Sequence, residues 1–70
     1  MAEVLQISLA AARVNAGLSQ KDVSNKLHVS TQTIVNWENG KSVPSWKNLN
    51  LICELYKISI DNLRLPIVSN

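Results

Sequence analysis

The sequence predicts an all-α fold, a compact bundle of about five short helices with a helix-turn-helix unit at its centre. Apolar residues recur at helical spacing along almost the whole chain. The two glycines and two prolines stand only where one helix would end or the next begin. No stretch combines strand-like alternation with a hairpin turn, so we expect helices alone.

Length and composition favour one small domain without a metal, a cofactor or a disulfide. The 70 residues form a core of about residues 5–64 and a tail of 65–70, and 46% of them are apolar. The single cysteine forms no internal disulfide, and with the single histidine it makes a metal site improbable. No apolar run approaches the roughly 20 residues of a membrane span, and the N-terminus lacks the features of a signal peptide. We therefore expect a cytoplasmic protein with no membrane partner.

The first helix is predicted from about Glu3 to Ala16, and Gly17 follows it where a positive φ commonly ends a helix. Its buried stripe comprises Leu5, Leu9, Ala12 and Ala16. A second apolar stripe beside it comprises Val4, Ile7, Ala11 and Val14. A helix that is apolar around most of its circumference is usually buried on both sides, which makes a protein partner one interpretation of the second stripe. The alternative is that scattered aliphatic residues are tolerated at the surface.

The second and third helices are predicted to form the helix-turn-helix. Ser19 is the expected N-cap of the second helix, which ends at about Leu27, and Asp22 occupies the capping-box position. Ser30 is the expected N-cap of the third helix, which runs from Thr31 to about Asn39. A connection of three residues is too short for the chain to reverse, so the two helices should cross at a large angle.

The fourth helix is predicted to follow a loop after Gly40, with Ser45 as its N-cap. Its buried stripe comprises Leu49, Ile52, Cys53 and Tyr56. Ser59 should cap a last short turn that contains Ile60 and Leu63, and Pro66 stops helix propagation.

The third helix carries the pattern that points to function. Ile34 and Trp37 mark its inward side. The outward side then consists of Thr31, Gln32, Val35, Asn36 and Asn39. A solvated helix usually carries Lys and Glu, whereas these amide, hydroxyl and methyl groups suit the edges of bases in a major groove. Glutamine pairs bidentately with adenine. The alternative for Gln32 is an ordinary exposed glutamine, and the net charge of +2 does not decide between the two.

Glu38 and Arg13 are predicted to form an ion pair. Glu38 follows Trp37 at the edge of the buried face of the third helix, where a carboxylate needs a cation. Arg13 lies at the edge of the buried face of the first helix, and its planar guanidinium suits a carboxylate. We expect the pair to orient the third helix on the first.

The run ARVNAGLSQKDVSNKLHVSTQTIVNWENGKSVPSWKNLNLICELYKISIDNL resembles the XRE-type helix-turn-helix family, the DNA-binding domains of phage repressors and Cro proteins. The resemblance extends from about Leu5 to Leu63, and its most specific parts are GLSQ, VSTQTIVNWENGK followed by Pro44, and LYKISIDNL. It implies a lambda repressor-like fold and a bacterial or phage origin.

The resemblance also implies which residues meet DNA. The positions that contact bases in the family correspond to Thr31, Gln32 and Asn36, with Val35 nearby. The glutamine that corresponds to Gln20 touches phosphate or the end of the recognition helix.

In the family, the turn and loop that follow the recognition helix, which corresponds to the third helix here, contact the DNA backbone. Here these positions include Asn39, Lys41 and Lys47, with Trp46 as a further candidate. The arginine–glutamate pair of the family falls on Arg13 and Glu38. This chain has His28 where the family usually has glycine, at a position that tends to need positive φ, which histidine tolerates better than most residues.

Two functions follow from these observations. The first is a sequence-specific regulator of transcription that binds double-stranded DNA as a homodimer, on a pseudo-palindromic operator with half-sites about 34 Å apart. The alternative is a protein-interaction module, an antitoxin or anti-repressor, that uses the same fold to hold another protein. We do not expect an enzyme, because the chain has no nucleophile and base at a known motif spacing and no glycine-rich phosphate loop.

Overall fold

Four α-helices form the body of residues 6–65, which are the residues that this computed structural model describes. The helices are α1 (Leu9–Asn15), α2 (Gln20–Leu27), α3 (Thr31–Asn39) and α4 (Trp46–Tyr56). A 3-10 turn (Ile60–Asn62) and two short strands, β1 (Ile7–Ser8) and β2 (Leu63–Arg64), complete the order. The all-α class is confirmed, with four α-helices in the described region where about five were expected.

The predicted start of the first helix is wrong. α1 begins at Leu9, and Ser8 before it is extended, with φ −69° and ψ 162°. The Ser8 hydroxyl accepts a hydrogen bond from the Ala11 N–H at 3.1 Å. This bond satisfies one of the free N–H groups of the first turn, so the helix starts here although the apolar spacing continues upstream. The rest of the predicted N-terminal turn, including Leu5, lies outside the described residues.

The expectation of helices alone is wrong at one place, where β1 and β2 pair in parallel. Ile7 lies opposite Leu63, and Ser8 lies opposite Arg64. A parallel pair needs no hairpin, because a long crossover joins its strands. Here all four helices form that crossover, which brings the two ends of the described chain together.

The predicted helix-turn-helix is confirmed as α2 and α3. Ser19 and Asp22 form the capping box, with the Asp22 N–H donating to the Ser19 hydroxyl at 3.0 Å and the Ser19 N–H donating to the Asp22 carboxylate at 2.9 Å. His28 ends α2 with φ 58°, the left-handed conformation expected there. Ser30 then caps α3 by accepting from the Thr33 N–H at 3.1 Å.

α4 is confirmed with Ser45 as its N-cap, and its end was not anticipated. The Asn48 N–H donates to the Ser45 hydroxyl at 3.2 Å. The helix ends at Lys57, which adopts φ 55°. The Ile58 N–H donates back to the Cys53 carbonyl at 3.0 Å, which closes the last turn. No glycine marks this position, so the sequence signal for a left-handed residue is missing.

One cluster of buried apolar side chains holds the helices together. It consists of Leu9, Ala12, Val23, Leu27, Ile34, Trp37, Leu49, Ile52, Tyr56 and Leu63. Each α-helix contributes at least two of these residues, so removing any helix would open the core. Among the described residues the predicted stripes are confirmed, except that Ala16 and Cys53 are only partly buried against the cluster. Leu5 of the first stripe lies outside the described residues. Burial raises the pKa of the Cys53 thiol, which disfavours the reactive thiolate.

Residues 6–65 offer neither a membrane-spanning helix nor a metal-binding cluster. None of the helices there combines the length and apolar character needed to cross a bilayer. The same stretch holds no group of three His, Cys, Asp or Glu side chains placed to bind a metal ion.

Candidate nucleic-acid interface

α3 turns one face into the core and the other to solvent. The side chains of Ile34 and Trp37 are 2% and 6% exposed. Thr31, Gln32 and Asn39 are exposed, and Val35 and Asn36 are half-buried at the edge of the same outward face. The predicted orientation of the helix is confirmed by this burial pattern. The outward face carries no charged side chain.

Gln32 and Asn36 hold each other on the outward face of α3. The Gln32 side-chain amide donates to the Asn36 Oδ1 atom at 3.0 Å. Residues four apart on a helix are neighbours, which makes such amide pairs possible. The bond uses one of the two amide hydrogens of Gln32 and leaves the other hydrogen and the Oε1 atom for a ligand. Those two groups are the donor and acceptor that a bidentate contact to adenine requires.

Thr31 is tied to α2 through its hydroxyl group. The Ser24 hydroxyl lies 3.3 Å from the Thr31 hydroxyl and 2.8 Å from the Lys21 carbonyl, to which it donates. A serine hydroxyl has one hydrogen, so Thr31 must donate in the contact with Ser24. The Thr31 side chain therefore offers its methyl group and an acceptor lone pair to solvent, which favours an apolar contact over donation to a phosphate.

Glu38 joins three helices at the end of α3. The Arg13 Nε atom lies 2.7 Å from the Glu38 Oε2 atom, and the Arg13 Nη2 atom donates to Oε1 at 3.4 Å. The Gln20 side-chain amide donates to the same Oε1 atom at 3.0 Å. Arg13 also donates to the Leu18 carbonyl at 2.9 Å. The predicted ion pair of Arg13 and Glu38 is confirmed. The Gln20 side chain contacts the end of α3, which is one of the two contacts that the family resemblance implies for it; the other is a phosphate.

The hydrogen-bond network around Glu38 is largely buried. The Arg13 and Glu38 side chains are 14% and 7% exposed. The hydrogen bond to Glu38 raises the pKa of Arg13, and the charge of Glu38 adds to that effect. Burial raises the pKa of the nearby Tyr56 hydroxyl to about 12, with a further contribution from the Glu38 charge. The short contacts of Glu38 with Arg13 and Gln20 suit a positioning role, because they join α1, α2 and α3.

The predicted phosphate contacts lie at the ends of helices and in the loop after α3. Asn39, Lys41 and Lys47 are exposed, and Gly40 between the first two ends α3 with φ 78°. The Lys41 N–H donates to the Asn36 carbonyl at 2.9 Å, which fixes the loop backbone against the helix. Gln20 keeps one amide hydrogen beyond its bond to Glu38.

The second stripe predicted on the first helix does not form as one surface. Ile7 lies in β1 and packs against the core, and Ala11 is half-buried on α1. Val14 is 63% exposed on α1. Val4 lies outside the described residues. The stripe is therefore wrong at Ile7, because β1 precedes the helix where a further turn was expected.

Sequence reasoning missed two hydrogen bonds of the candidate interface, those of Gln32 with Asn36 and of Ser24 with Thr31. The spacing of Gln32 and Asn36 was a usable signal for their hydrogen bond, whereas the bond between Ser24 and Thr31 depends on the helix crossing. Trp46, at the start of α4, is 68% exposed. This exposure leaves Trp46 accessible, as a contact with the DNA backbone would require.

Comparison with known proteins agrees with this geometry. A family model described as helix-turn-helix matches residues 9–63. The chain is 33% identical over 51 residues to the HTH-type transcriptional activator BcrR of Enterococcus faecalis. That match covers 73% of this chain and 25% of the relative, so the chain spans about a quarter of the relative's length. No solved structure gives a significant match.

Proposed function

The chain belongs to the XRE-type helix-turn-helix family of DNA-binding transcription regulators, and on this premise we propose that it recognises specific sequences in double-stranded DNA. The supporting observation is the orientation of α3, with Ile34 and Trp37 inside and an uncharged polar face outside. A major groove about 12 Å wide admits one α-helix. A face without carboxylates meets no repulsion from the phosphates that flank that groove.

Base recognition falls to the outward face of α3. Gln32 reads adenine, using the Oε1 atom and the amide hydrogen that its bond to Asn36 leaves available. The methyl groups of Thr31 and Val35 contact thymine methyl groups. Asn36 reads a neighbouring base or bonds a phosphate with its own amide hydrogens.

Backbone contacts fix the position of the domain on the duplex. Lys41 and Lys47 neutralise phosphates as point charges, and Asn39 and Gln20 donate from their amide groups. These contacts carry no sequence information, so their loss should weaken binding to every sequence alike. Glu38 contributes indirectly, because it holds Gln20 and α3 in one arrangement.

The DNA site is a pseudo-palindrome bound by a homodimer. One domain of this size makes few contacts, and two copies on half-sites about 34 Å apart would supply both affinity and specificity. We propose that the protein acts on bacterial or phage promoters in the cytoplasm, without catalysis of its own. The name of the Enterococcus relative describes an activator, so a reporter assay should score both increased and decreased transcription.

Selection of bound sites from a random pool of duplexes tests this function. We expect enrichment of a motif with two inverted half-sites, and a shift assay on that motif should show affinity falling steeply with salt. The matched control is a duplex of the same composition in scrambled order. Equal affinity for the motif and the scrambled duplex would contradict sequence-specific recognition.

The alternative function is a protein-interaction module, an antitoxin or anti-repressor. The exposed Val14 on α1 is the observation that favours it. In that case a partner chain would cover α1 and leave α3 free, and DNA binding would be weak and unspecific. The random-pool selection separates the two functions, because the alternative predicts that no motif is enriched.

A further inference from the structure

Ser24 is a buried hydroxyl residue at the place where α2 packs against α3. Only 4% of its surface is exposed, so its hydroxyl group must find partners inside the protein. It donates its hydrogen to the Lys21 carbonyl at 2.8 Å, one turn earlier on α2. The lone pairs of the Ser24 Oγ atom therefore remain for Thr31, whose hydroxyl lies 3.3 Å away on α3.

The bond to Ser24 fixes what Thr31 presents to solvent. Thr31 is the first residue of α3, and it is exposed. Its hydroxyl hydrogen points to Ser24, and the same bond holds the side chain in one rotamer, whereas a helical threonine commonly divides between two. Thr31 therefore presents a methyl group of fixed direction and an oxygen lone pair, without a donor hydrogen.

We propose that Ser24 is a positioning residue for base recognition, because it makes Thr31 a donor-free contact that favours a pyrimidine with a C5 methyl group and rejects guanine. Guanine presents only acceptors in the major groove, N7 and O6, and a side chain without a donor leaves both unpaired. Thymine presents a methyl group at C5, which the Thr31 methyl group can contact. This inference rests on the proposed function and adds to it a buried residue that does not itself touch DNA.

The same chemistry includes a modified base. 5-Methylcytosine carries its methyl group at the ring position where thymine carries its own. Its N4 amino group is also a donor, from which the free lone pair of Thr31 can accept. Methylation of a cytosine at this position should therefore strengthen binding, because an unmethylated cytosine lacks the apolar contact.

Removing single methyl groups from the selected motif locates the base that Thr31 contacts. Each thymine is replaced in turn by deoxyuridine, which differs only by lacking the C5 methyl group. At one position in each half-site we expect the affinity of the wild type to fall by about fourfold, the effect of one buried methyl group. Thr31→Ser keeps the hydroxyl and removes the methyl group, so the penalty at that position should disappear. When cytosine replaces thymine there, methylation at C5 should raise the affinity of the wild type by a similar factor.

Base preference at that position then tests Ser24. Ser24→Ala releases the hydroxyl hydrogen of Thr31, so discrimination against guanine should fall by at least about threefold. In a Thr31→Val background the same Ser24→Ala change should not alter the preference among the four bases any further, because valine has no hydroxyl hydrogen to release.

Ser59→Ala is the matched control for Ser24→Ala. It removes the hydroxyl that accepts from the Asp61 N–H at the 3-10 turn, outside α2 and α3, and it should keep the base preference of the wild type. A merely structural effect of Ser24→Ala would weaken binding to all four bases alike. Urea unfolding of each variant measures that structural effect separately.

Nuclear magnetic resonance tests the orientation of Thr31 without DNA. Three-bond couplings to its methyl carbon report the χ1 rotamer. We expect the values of a single rotamer in the wild type and averaged values in Ser24→Ala. Thr33, whose hydroxyl lies 2.9 Å from the Ser30 hydroxyl, is the internal reference and should give the same couplings in both proteins.

Three results would overturn the inference and leave the proposed function intact. They are a Ser24→Ala protein that keeps the full discrimination against guanine, a motif without any deoxyuridine penalty that depends on Thr31, and an averaged Thr31 rotamer in the wild type. Failure of the random-pool selection to enrich any motif would overturn the proposed function first and this inference with it, so the two failures are distinguishable.

Discussion

At the scale of single residues, Glu38 is the most connected side chain of the interface. Its carboxylate accepts hydrogen bonds from Arg13 on α1 and Gln20 on α2 while it belongs to α3. The ion pair could be predicted from the sequence, because both residues border a buried stripe and neither charge tolerates burial alone. The contact of Gln20 could not be derived from spacing, since it depends on how α2 crosses α3.

Replacing Glu38 by glutamine should destabilise the fold. The Glu38→Gln change leaves the Arg13 guanidinium, 14% exposed, without its counter-ion, and we expect a loss of about 2–3 kcal/mol in the free energy of unfolding. Urea denaturation measures it. Glu54→Gln, at an exposed position of α4, is the control and should change stability by less than about 0.5 kcal/mol. Equal stability of the two variants would contradict the structural role of the pair.

Replacing Asn36 by alanine should reduce the selectivity for the base that Gln32 is proposed to contact. The Gln32 amide loses the acceptor that orients it, and one net hydrogen bond corresponds to about 0.5–1.5 kcal/mol, or roughly three- to tenfold in selectivity. Binding to duplexes that vary at that one base pair measures the effect. Asn39→Ala, at a proposed phosphate contact, should weaken binding to all of these duplexes equally. An unchanged selectivity profile in Asn36→Ala would show that Gln32 needs no support.

At the scale of elements, serine N-caps decide where the helices begin. Each of the five helical segments in the described region begins directly after a serine N-cap. These serines are Ser8, Ser19, Ser30, Ser45 and Ser59. Four of the five could be predicted, because each follows a break in the apolar spacing. Ser8 could not, since Leu5 and Ile7 continue the helical pattern upstream of it. Tertiary pairing of Ile7 with Leu63 overrides that local pattern.

The cap at Ser8 is testable by substitution. Ser8→Ala removes the acceptor of the Ala11 N–H, and we expect a loss of about 0.5–2 kcal/mol in the free energy of unfolding. Thermal or urea unfolding measures it. Ser42→Ala lies in the exposed loop before α4 and should change stability by less than about 0.5 kcal/mol. A Ser8→Ala protein as stable as Ser42→Ala would place the start of α1 elsewhere.

The capping box of α2 should make stability depend on acidity. Hydrogen bonds from the Ser19 N–H and hydroxyl hold the pKa of the Asp22 carboxyl below its ordinary value of 3.8. A carboxylate with a lowered folded-state pKa contributes stability that is complete above the unfolded pKa and is lost as the pH falls through the folded one. Asp22→Asn removes the titration. Between about pH 6 and about pH 2 the melting temperature of Asp22→Asn should therefore fall less than that of the wild type, whereas parallel curves would contradict the box.

At the scale of the whole molecule, the fold is a helical crossover closed by one short parallel strand pair. The order of the helices, the central crossing and most of the core followed from local signals in the sequence. The strand pair did not, because its partners lie at opposite ends of the described chain and two-residue strands carry no periodicity.

The orientation of α3 is the central claim, and its most direct test is the binding of Gln32→Ala to the selected motif and to every single-base variant of it. We predict a loss of about 1–3 kcal/mol on the motif and tolerance of any base at one position in each half-site. Lys41→Ala is the matched control and should weaken binding to all sequences alike. It should also reduce, by about one, the slope of the logarithm of the binding constant against the logarithm of the salt concentration. A Gln32→Ala protein that keeps the full base preference of the wild type would contradict the claim.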